Sequence, residues 1–315
     1  MRSIDIGTSR IKRSPDLNRS SRIKRSLDER LFQVGSYLLL AGLALACLLP
    51  LLLVISGSFS NEEAILQKGY SLLPRQLDLS AYRAIFQNSD LLFGSYRITV
   101  ITTITGTLLG LFITAMTSYV LSRRDFEWRN RFAFYFFFTT LFSGGIVPWY
   151  ILCVQYLHLN DNFAGLVLPM LLNVFNIIIM KSFMSTIPDA ITESAKIDGA
   201  GDFLIFWKLI LPLSKPVLAT IGLFIALAYW NDWFLSYIFM QKQQYFTLQF
   251  TLYRVLSMSQ ALKSVSSSVA SGNSVLPSET LKLAMTVVAT GPILLVYPFV
   301  QKYFVRGLTI GAVKG

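Results

Sequence analysis

The sequence predicts an all-α membrane protein, with six transmembrane helices and a helical cytoplasmic segment between the fourth and the fifth. The chain of 315 residues is 53% hydrophobic and only 14% charged, so it cannot leave its apolar surface in water. Six runs of about 20 apolar residues have the length that a ~30 Å hydrocarbon core requires. The runs are apolar on every face, which indicates helices, because barrel strands alternate in polarity.

Residues 1–30 are predicted to form a flexible cytoplasmic tail, separate from a six-helix domain over 31–315. The tail is basic and contains a duplication, SRIKRSPD at 9–16 and SRIKRSLD at 21–28. The apolar run that follows is longer than the roughly 7–15 residues of a secretory signal peptide, which indicates a retained first helix. The six predicted spans are 31–56, 95–121, 132–156, 163–180, 216–239 and 283–304.

The distribution of Lys and Arg predicts that both termini lie in the cytoplasm. The termini and alternate connections carry 20 of these residues, against 6 in the remaining loops. Positive charge collects on the cytoplasmic side of membrane proteins. The net charge of +11 is therefore attributed to topology and to contact with anionic lipid, and nucleic-acid binding is not expected.

Two longer connections, 57–94 and 240–281, are predicted outside the membrane. The second includes SVSSSVASGNSVLPSE, which is typical of a mobile surface loop, although a loop that touches a soluble partner has the same composition.

Glycine and proline interrupt two of the apolar runs at mid-depth. FSGGIVPWY places Gly144 and Pro148 in the third run, and VATGPILLVYPF places Gly291, Pro292 and Pro298 in the sixth. Broken backbone at this depth is tolerated beside protein or a water-filled cavity. Ordinary kinks and close helix packing are the alternative.

Polar and aromatic residues in the fourth and fifth runs predict a substrate pathway. Two asparagines three residues apart share one helix face near mid-membrane, and YWNDW falls ~21 Å along the fifth helix. Amides, carboxylates and aromatic rings bind sugars, but an interfacial aromatic belt with asparagines joining helices gives the same pattern. Asp232 has the further alternative of pairing with a loop Lys or Arg. The candidate pathway residues are Asn173, Asn176, Tyr229, Trp230, Asn231, Asp232 and Trp233.

No catalytic or metal site is predicted. Cys47 and Cys153 lie inside apolar runs, where cysteine is usually a small buried hydrophobe. His158 is the only histidine, and no cysteine or carboxylate neighbours it at ligand spacing. The sequence contains no G-x-x-x-x-G-K-[ST] phosphate loop, so transport powered by ATP would require a separate chain to hydrolyse it.

The segment 188–210 is predicted to form two short cytoplasmic helices. Pro188 suits a first helical position, and Asp189 favours the positive end of the helix dipole. Gly199 ends this helix, where a left-handed residue is needed. Asp202 is predicted to cap the second helix, which has apolar residues at helical spacing. These apolar residues are Phe203, Phe206, Trp207 and Ile210.

The same segment has the composition of a helix that binds a partner, and its sequence resembles the motif of a known family. Small side chains at Ser194, Ala195 and Ala200 let a partner's groove approach the backbone, although an interfacial helix lying on the membrane fits the pattern too. ESAKIDGA, followed by ILP, resembles the motif that begins Glu-Ala-Ala in the membrane subunits of binding-protein-dependent ATP-binding-cassette importers. Ser194 stands where that motif usually has Ala.

The resemblance extends over about 31–315. LFSGGIVPWY, LPLSKPVLATIGLF, YWNDWF and YPFVQKYFVRGLTIGAVKG resemble the carbohydrate-importer permeases of this class, especially a branch associated with oligosaccharides from plant and algal polysaccharides. This implies the type I importer permease fold in a bacterial cytoplasmic membrane. It also implies a coupling helix that docks on an ATPase subunit, through Glu193, Ser194, Ala195, Asp198, Gly199 and Ala200.

The partners that the resemblance implies are a second permease subunit, two ATPase subunits that hold ATP and Mg, and an extracytoplasmic solute-binding protein. This chain itself is expected to be no enzyme and to hold no cofactor. A secondary transporter driven by an ion gradient is the main alternative, although no convincing membrane repeat is visible. A membrane enzyme or receptor-like scaffold is a further one, although no carboxylate pair or Ser/His/Asp set is visible.

Overall fold

The computed structural model describes residues 27–87, 89–268 and 279–294. Within those ranges the secondary structure is helical, apart from one isolated antiparallel bridge between Ser60 and Leu77. The chain divides into two compact units, Met1–Leu51 and Leu52–Gly315. The predicted all-α class is therefore confirmed for the part of the chain that is described.

The described part of the first unit is a single helical stretch, residues 27–51 of helix α1 (Leu27–Ser58). The helix begins four residues before the predicted start of the domain at residue 31, so the end of the predicted tail is helical. Cys47 is exposed. The expectation of a buried cysteine was wrong at this position, because the described part of this unit is one helix and offers no second element to cover it. Cys153 in the second unit is buried, as expected.

The second unit contains the remaining helices. Its first half comprises α2 (Glu62–Lys68), α3 (Ser80–Gln87), α4 (Ser89–Ser122), α5 (Arg129–Leu141), α6 (Ile146–Ile151) with a π-helical turn Leu152–Tyr156, α7 (Ala164–Val167) with a 3-10 turn Leu168–Met170, and α8 (Val174–Met184). Its second half comprises α9 (Asp189–Ile197), α10 (Asp202–Ile205) with a π-helical turn Phe206–Ile210, α11 (Leu211–Leu213), α12 (Lys215–Trp230), α13 (Phe234–Phe239), a 3-10 turn Gln243–Tyr245, α14 (Leu248–Ser268) and α15 (279–294).

Helix α4 is the centre of the second unit, where α8, α12 and α14 pack against it. It packs tightly against α12 at Gly106, where an added Cβ would overlap the ring of Tyr229. Tyr229 is 1% exposed, and its hydroxyl donates to the carbonyl of Val167 at 2.7 Å. Glycine is therefore required at 106, because the aromatic ring occupies the space of a side chain.

The lengths of the helices agree with a membrane protein that crosses the bilayer several times. Residues Leu31–Ser58 and Asp90–Ser122 are each long and apolar enough to span alone. Three bent helix pairs also pass this test, at 114° between α5 and α6, 52° between the α7 segment and α8, and 85° between the α10–α11 segment and α12. Within the described ranges this gives two to five spans, and 295–304 of the sixth predicted run lies outside them.

The predicted interruption in the third run is present. Phe142–Gly145 is not helical, and Gly145 has φ +84°. The sixth run differs, because α15 continues through Gly291 and Pro292 to residue 294. Of the two alternatives left open there, a break in the backbone is not present at Gly291 and Pro292, and Pro298 lies outside the described residues.

The connection 240–281, expected to be a loop, contains the 21-residue helix α14. Packing explains the difference: Leu248, Phe250 and Thr251 are buried, and the hydroxyl of Thr251 bonds that of Ser95 on α4 at 2.8 Å. The Ser/Gly tract is helical to Ser268, and its continuation over 269–278 lies outside the described residues.

Candidate functional site

The predicted coupling segment begins at helix α9. Pro188 is the N-cap, with extended backbone angles of φ −60° and ψ 132°, and the helix starts at Asp189. The predicted start at Pro188 was one residue early, because the carbonyl of Pro188 already accepts from the amide of Ile191 while its own backbone remains extended. Asp189 therefore occupies the first turn, at the positive end of the dipole.

Gly199 ends α9 in the left-handed conformation, with φ +83°, as the sequence predicts. The amide of Ala200 donates to the carbonyl of Ala195 at 2.9 Å, and that of Gly199 to Lys196 at 3.0 Å. This pair of bonds is the Schellman motif, which satisfies carbonyls that a helix end leaves open. An L-residue at 199 would be strained.

The two faces of α9 differ in exposure. Ala195 is 9% exposed and belongs to the same buried cluster as Ile205, Phe206 and Ile210. Ile197 is 86% exposed, an unusual exposure for a large apolar side chain. Of the predicted contact residues, Ala200 is partly buried, and four are exposed: Glu193, Ser194, Asp198 and Gly199. The helix is therefore anchored from beneath and presents small and acidic groups outward.

The second half of the segment differs from the prediction in two ways. Gly201 is the N-cap of α10 and Asp202 is its first residue, so Asp202 does not cap the helix. The buried face is Ile205, Phe206 and Ile210, whereas Phe203 and Trp207 are 63% and 54% exposed. The π-helical turn at 206–210 explains this rotation, because five-residue hydrogen bonding displaces side chains from the ordinary 3.6-residue period.

A cluster of charged side chains fastens the segment to the loop between α4 and α5. Arg123 holds Asp125 through Nε–Oδ1 at 2.8 Å and reaches Asp202 through Nη1–Oδ1, also at 2.8 Å. Lys196 on α9 donates to Asp125 Oδ2 at 2.7 Å. The four residues connect the end of α4, its following loop, α9 and α10, and we call them the charge cluster.

A separate ion pair joins the same loop to the start of α9, between Arg124 Nε and Asp189 Oδ2 at 3.1 Å. Sequence reasoning counted the two arginines only as topology signals and missed their partners. Their adjacency to an acidic residue in RRDFE was the available signal, but the sequence alone does not bring 123–125 close to 196–202.

Contacts within the charge cluster shift the pKa values of Asp125 and Arg123 in the direction that favours their charged forms. Hydrogen bonds from Arg123 first, and from Lys196 second, lower the pKa of Asp125 below its usual range. Its hydrogen bond to Asp125 is the main reason that the pKa of Arg123 is raised. Asp125 and Arg123 therefore both stay ionised at neutral pH.

The two predicted pathway asparagines do not share a helix face. Asn173 precedes α8 as its N-cap, and its side-chain oxygen accepts from the amides of Phe175 at 2.9 Å and Asn176 at 3.3 Å. Asn176 is 6% exposed within the helix. The expectation of a shared face was wrong because the helix breaks between Met170 and Val174, which leaves Asn173 outside it.

The predicted pathway residues at 229–233 divide between burial and exposure. Tyr229 is buried against α4, as described above, and Trp230 is partly buried, with an indole N–H that has no hydrogen-bond partner in the described chain. Asn231 is exposed and bonds the carbonyl of Leu227. Asp232 accepts from the amide of Leu235 at 3.1 Å, and Trp233 stacks on Tyr253 with centroids 4.5 Å apart. Helix α12 ends at Trp230, so the chain breaks within the predicted fifth run, 216–239.

An aromatic cavity of about 640 Å³ lies beside this break, at the end of the unit that the charge pattern predicts to be outside. Its lining includes the rings of Tyr237, Phe250 and Tyr253, the amide of Gln243 and the guanidinium of Arg254. Arg254 lies over the ring of Phe246 at 4.9 Å and has no carboxylate partner among the described residues. Sequence reasoning missed this cavity because it assigned most of its residues to a loop.

Within residues 27–87, 89–268 and 279–294, no group of three or more His, Cys, Asp or Glu side chains is placed to hold a metal ion. His158 is exposed, with φ +51°.

Comparisons with known proteins agree on one family. The family model described as "binding-protein-dependent transport system inner membrane component" matches residues 106–310. The chain is 41% identical to the polygalacturonan/rhamnogalacturonan transport system permease protein YtcP of Bacillus subtilis, over 92% of this chain and 100% of that one. It is 39% identical to protein LplC of the same organism, over 91% and 96%.

A solved structure has a similar fold. It is the crystal structure of a bacterial ABC transporter involved in the import of the acidic polysaccharide alginate. The similarity has a TM-score of 0.76 at 32% identity, covering 89% of this chain and 99% of that chain.

Proposed function

Since the chain belongs to the family of binding-protein-dependent transport system inner membrane components, we propose that it imports an oligosaccharide as one permease subunit of an ATP-binding-cassette transporter. Its partners in this proposal are a second permease subunit, two ATPase subunits that bind ATP and Mg, and an extracytoplasmic solute-binding protein. It lies in the bacterial cytoplasmic membrane and crosses it several times. It holds no cofactor and hydrolyses no ATP itself.

The observation that carries this proposal is the geometry of the segment 188–210. Helix α9 is anchored by Ala195 and ends at a left-handed Gly199, while Glu193, Ser194 and Asp198 remain exposed. The charge cluster connects it to the end of α4. A push on α9 from an ATPase is therefore transmitted to α4, the helix on which α8 and α12 pack.

Hydrogen bonds between connections support a topology with alternating sides. The carboxylate of Glu62 accepts from the amide of Thr280 at 2.8 Å, which places the connection before α4 and the start of α15 at one end. The charge cluster places the α4–α5 loop and α9 together at the other end. Since 123–131 and 181–215 are rich in basic residues, this second end is the cytoplasmic one in this proposal, and the Lys and Arg of 1–30 and of the residues after 301 assign both termini to the cytoplasm by the same rule.

The aromatic cavity supports a carbohydrate cargo, and its free guanidinium supports an acidic one. Aromatic rings stack on sugar faces, the Gln243 amide bonds hydroxyls, and the Arg254 fork matches a carboxylate. The name of one relative gives polygalacturonan as its substrate, and the solved neighbour is described as importing the acidic polysaccharide alginate. We therefore take uronate-containing oligosaccharides as the cargo.

Asn176 and Trp230, with Asn173, Asn231, Asp232 and Trp233, are proposed to line the route further inward. The unused N–H of Trp230 is the observation that favours this role, because a sugar hydroxyl would satisfy it. Tyr229 is proposed to hold the helix in place beside the route, because its ring packs against Gly106 and its hydroxyl donates to the carbonyl of Val167.

The discriminating experiment is uptake by proteoliposomes that contain the complex co-purified with this chain. We expect uptake of an oligogalacturonate, in the presence of its binding protein, to require ATP inside the vesicles and no ion gradient. Uptake driven by a proton or sodium gradient without ATP would establish the secondary transporter instead. The comparisons do not support that alternative.

A further inference from the structure

A second cavity, of about 170 Å³, lies at the predicted cytoplasmic end of the unit. It is enclosed by the end of α4, the start of α5 and the junction between α8 and α9. Its lining includes Tyr119, Arg123, Arg124, Arg129, Asp189 and Thr192. Three arginines therefore line one small space, beside the helix that we propose to dock on the ATPase.

Tyr119 contributes a buried polar group to the lining of this cavity. The residue is 6% exposed, and its hydroxyl is buried with no hydrogen-bond partner in the described chain. A buried hydroxyl left unpaired destabilises the fold, so such groups usually meet a ligand or a water.

The three arginines of the cavity differ in whether a carboxylate already binds them. Arg123 is engaged by Asp125 and Asp202, and Arg124 by Asp189. Arg129 is partly buried, and its guanidinium has no carboxylate partner among the described residues. A cavity lined both by an arginine without a carboxylate partner and by a tyrosine with an unpaired hydroxyl favours an anion with several acceptor oxygens. Arg is the residue that best matches the geometry of phosphate.

The acidic groups near the cavity are themselves neutralised. Asp189 lines it but is held by Arg124 at 3.1 Å, and Asp125 and Asp202 are held by Arg123. A space of this size takes a phosphate group with a few waters, since a water occupies about 30 Å³ of liquid.

We propose that this cavity binds a phosphate group, carried by an anionic lipid headgroup or by a free anion, on Arg129 and the hydroxyl of Tyr119. A phosphate held there would bridge the start of α5 to Thr192 on α9 and stabilise the position of the coupling segment. The consequence for coupling rests on the proposed function; the binding itself does not.

The test measures the melting temperature of the purified complex in nanodiscs. Phosphatidylcholine discs with and without phosphatidylglycerol probe the lipid source, and inorganic phosphate added to phosphatidylcholine discs probes the free source. We expect one of the two to raise the melting temperature saturably. The variants R129Q and Y119F should weaken the apparent affinity by about tenfold, as expected for loss of a charge-assisted bond.

Arg131→Gln is the matched control, because it makes the same charge change on the same helix. Arg131 lies over the ring of Trp128 and outside the cavity. An apparent affinity that is unchanged in R131Q and about tenfold weaker in R129Q supports the site. Absence of stabilisation by both probes, or equal loss in R129Q and R131Q, overturns it. These readouts need no ATP, so a failed coupling role is distinguished from a failed site.

Discussion

Arg123, the first residue after α4, donates to Asp202, the first residue of α10, over 2.8 Å. The two residues are far apart in sequence, yet this contact joins a long spanning helix to the segment proposed to meet the ATPase. The Arg123 side chain is only 17% exposed, so its partners cannot be replaced fully by solvent. We propose that this contact is the mechanical connection between the coupling segment and α4.

The variant D202N should uncouple ATP hydrolysis from transport. The substitution removes the negative charge that Arg123 contacts at position 202. The buried face of α10 at Ile205 and Phe206 is unchanged, so the complex should still assemble. Partly exposed ion pairs contribute roughly 0.2–1 kcal/mol, which predicts up to about fivefold less uptake per ATP hydrolysed. Both rates are measured in proteoliposomes. E127Q, in the loop between α4 and α5, is the control, and an equal effect there would contradict the account.

The charge cluster should give a defined pH dependence to stability. The pKa of Asp125 is lowered in the folded protein, mainly by Arg123, so its stabilisation is present above the unfolded value of about 3.9 and is lost as pH falls toward the folded value. The difference in melting temperature between wild type and D125N should be constant from about pH 8 to pH 5 and should shrink below about pH 4. A difference in melting temperature that grows on acidification would contradict the claim that the ionised carboxylate of Asp125 stabilises the fold.

Gly199→Ala should weaken ATPase binding because φ +83° strains any L-residue. The expected cost is roughly 1 kcal/mol, or about fivefold in affinity. Gly201→Ala is the matched control, since Gly201 has φ −71° and open space around its Cα. Affinity is measured by titrating the ATPase subunit onto nanodisc-embedded permease. Equal effects of the two substitutions would show that the left-handed turn is not what matters.

The sequence predicted the positions of these elements better than their contacts. Gly199 could be identified because a helix end needs a left-handed residue, and the interruption at Gly144–Gly145 because glycines stood in an apolar run. Helix α14 was missed because its buried face is short and leads into a Ser/Gly tract. Its packing on α4 through Thr251 depends on residues distant in sequence, which no local pattern encodes.

The same limit applies to the site. Asn173 and Asn176 have helical spacing, but the break before Val174 converts the first into a helix cap. The π-helical turn at 206–210 rotates Trp207 outward in the same unforeseen way. Both are backbone irregularities that tertiary packing imposes on an apolar stretch.

Arg254→Gln should reduce the uptake of acidic oligosaccharides selectively. Loss of a guanidinium–carboxylate contact costs about 1.5–3 kcal/mol, which predicts roughly a 10- to 100-fold higher half-saturating concentration for an oligogalacturonate. Uptake of a neutral oligosaccharide of equal length, where the wild type transports it, should change little. Lys242→Gln removes a charge from the same end without touching the aromatic cavity. An equal loss in both variants would indicate a general electrostatic effect.

The most direct test of the account is photo-crosslinking from position 197. Ile197 is 86% exposed on α9, so a photoreactive residue there reports what the coupling segment touches. Leu73 is 79% exposed at the opposite end of the unit and provides the control position. We predict that, in the native membrane, position 197 captures a chain that contains a G-x-x-x-x-G-K-[ST] loop and that position 73 does not. Capture of that chain from position 73, or from neither position, would contradict the central claim that α9 couples this permease to an ATPase.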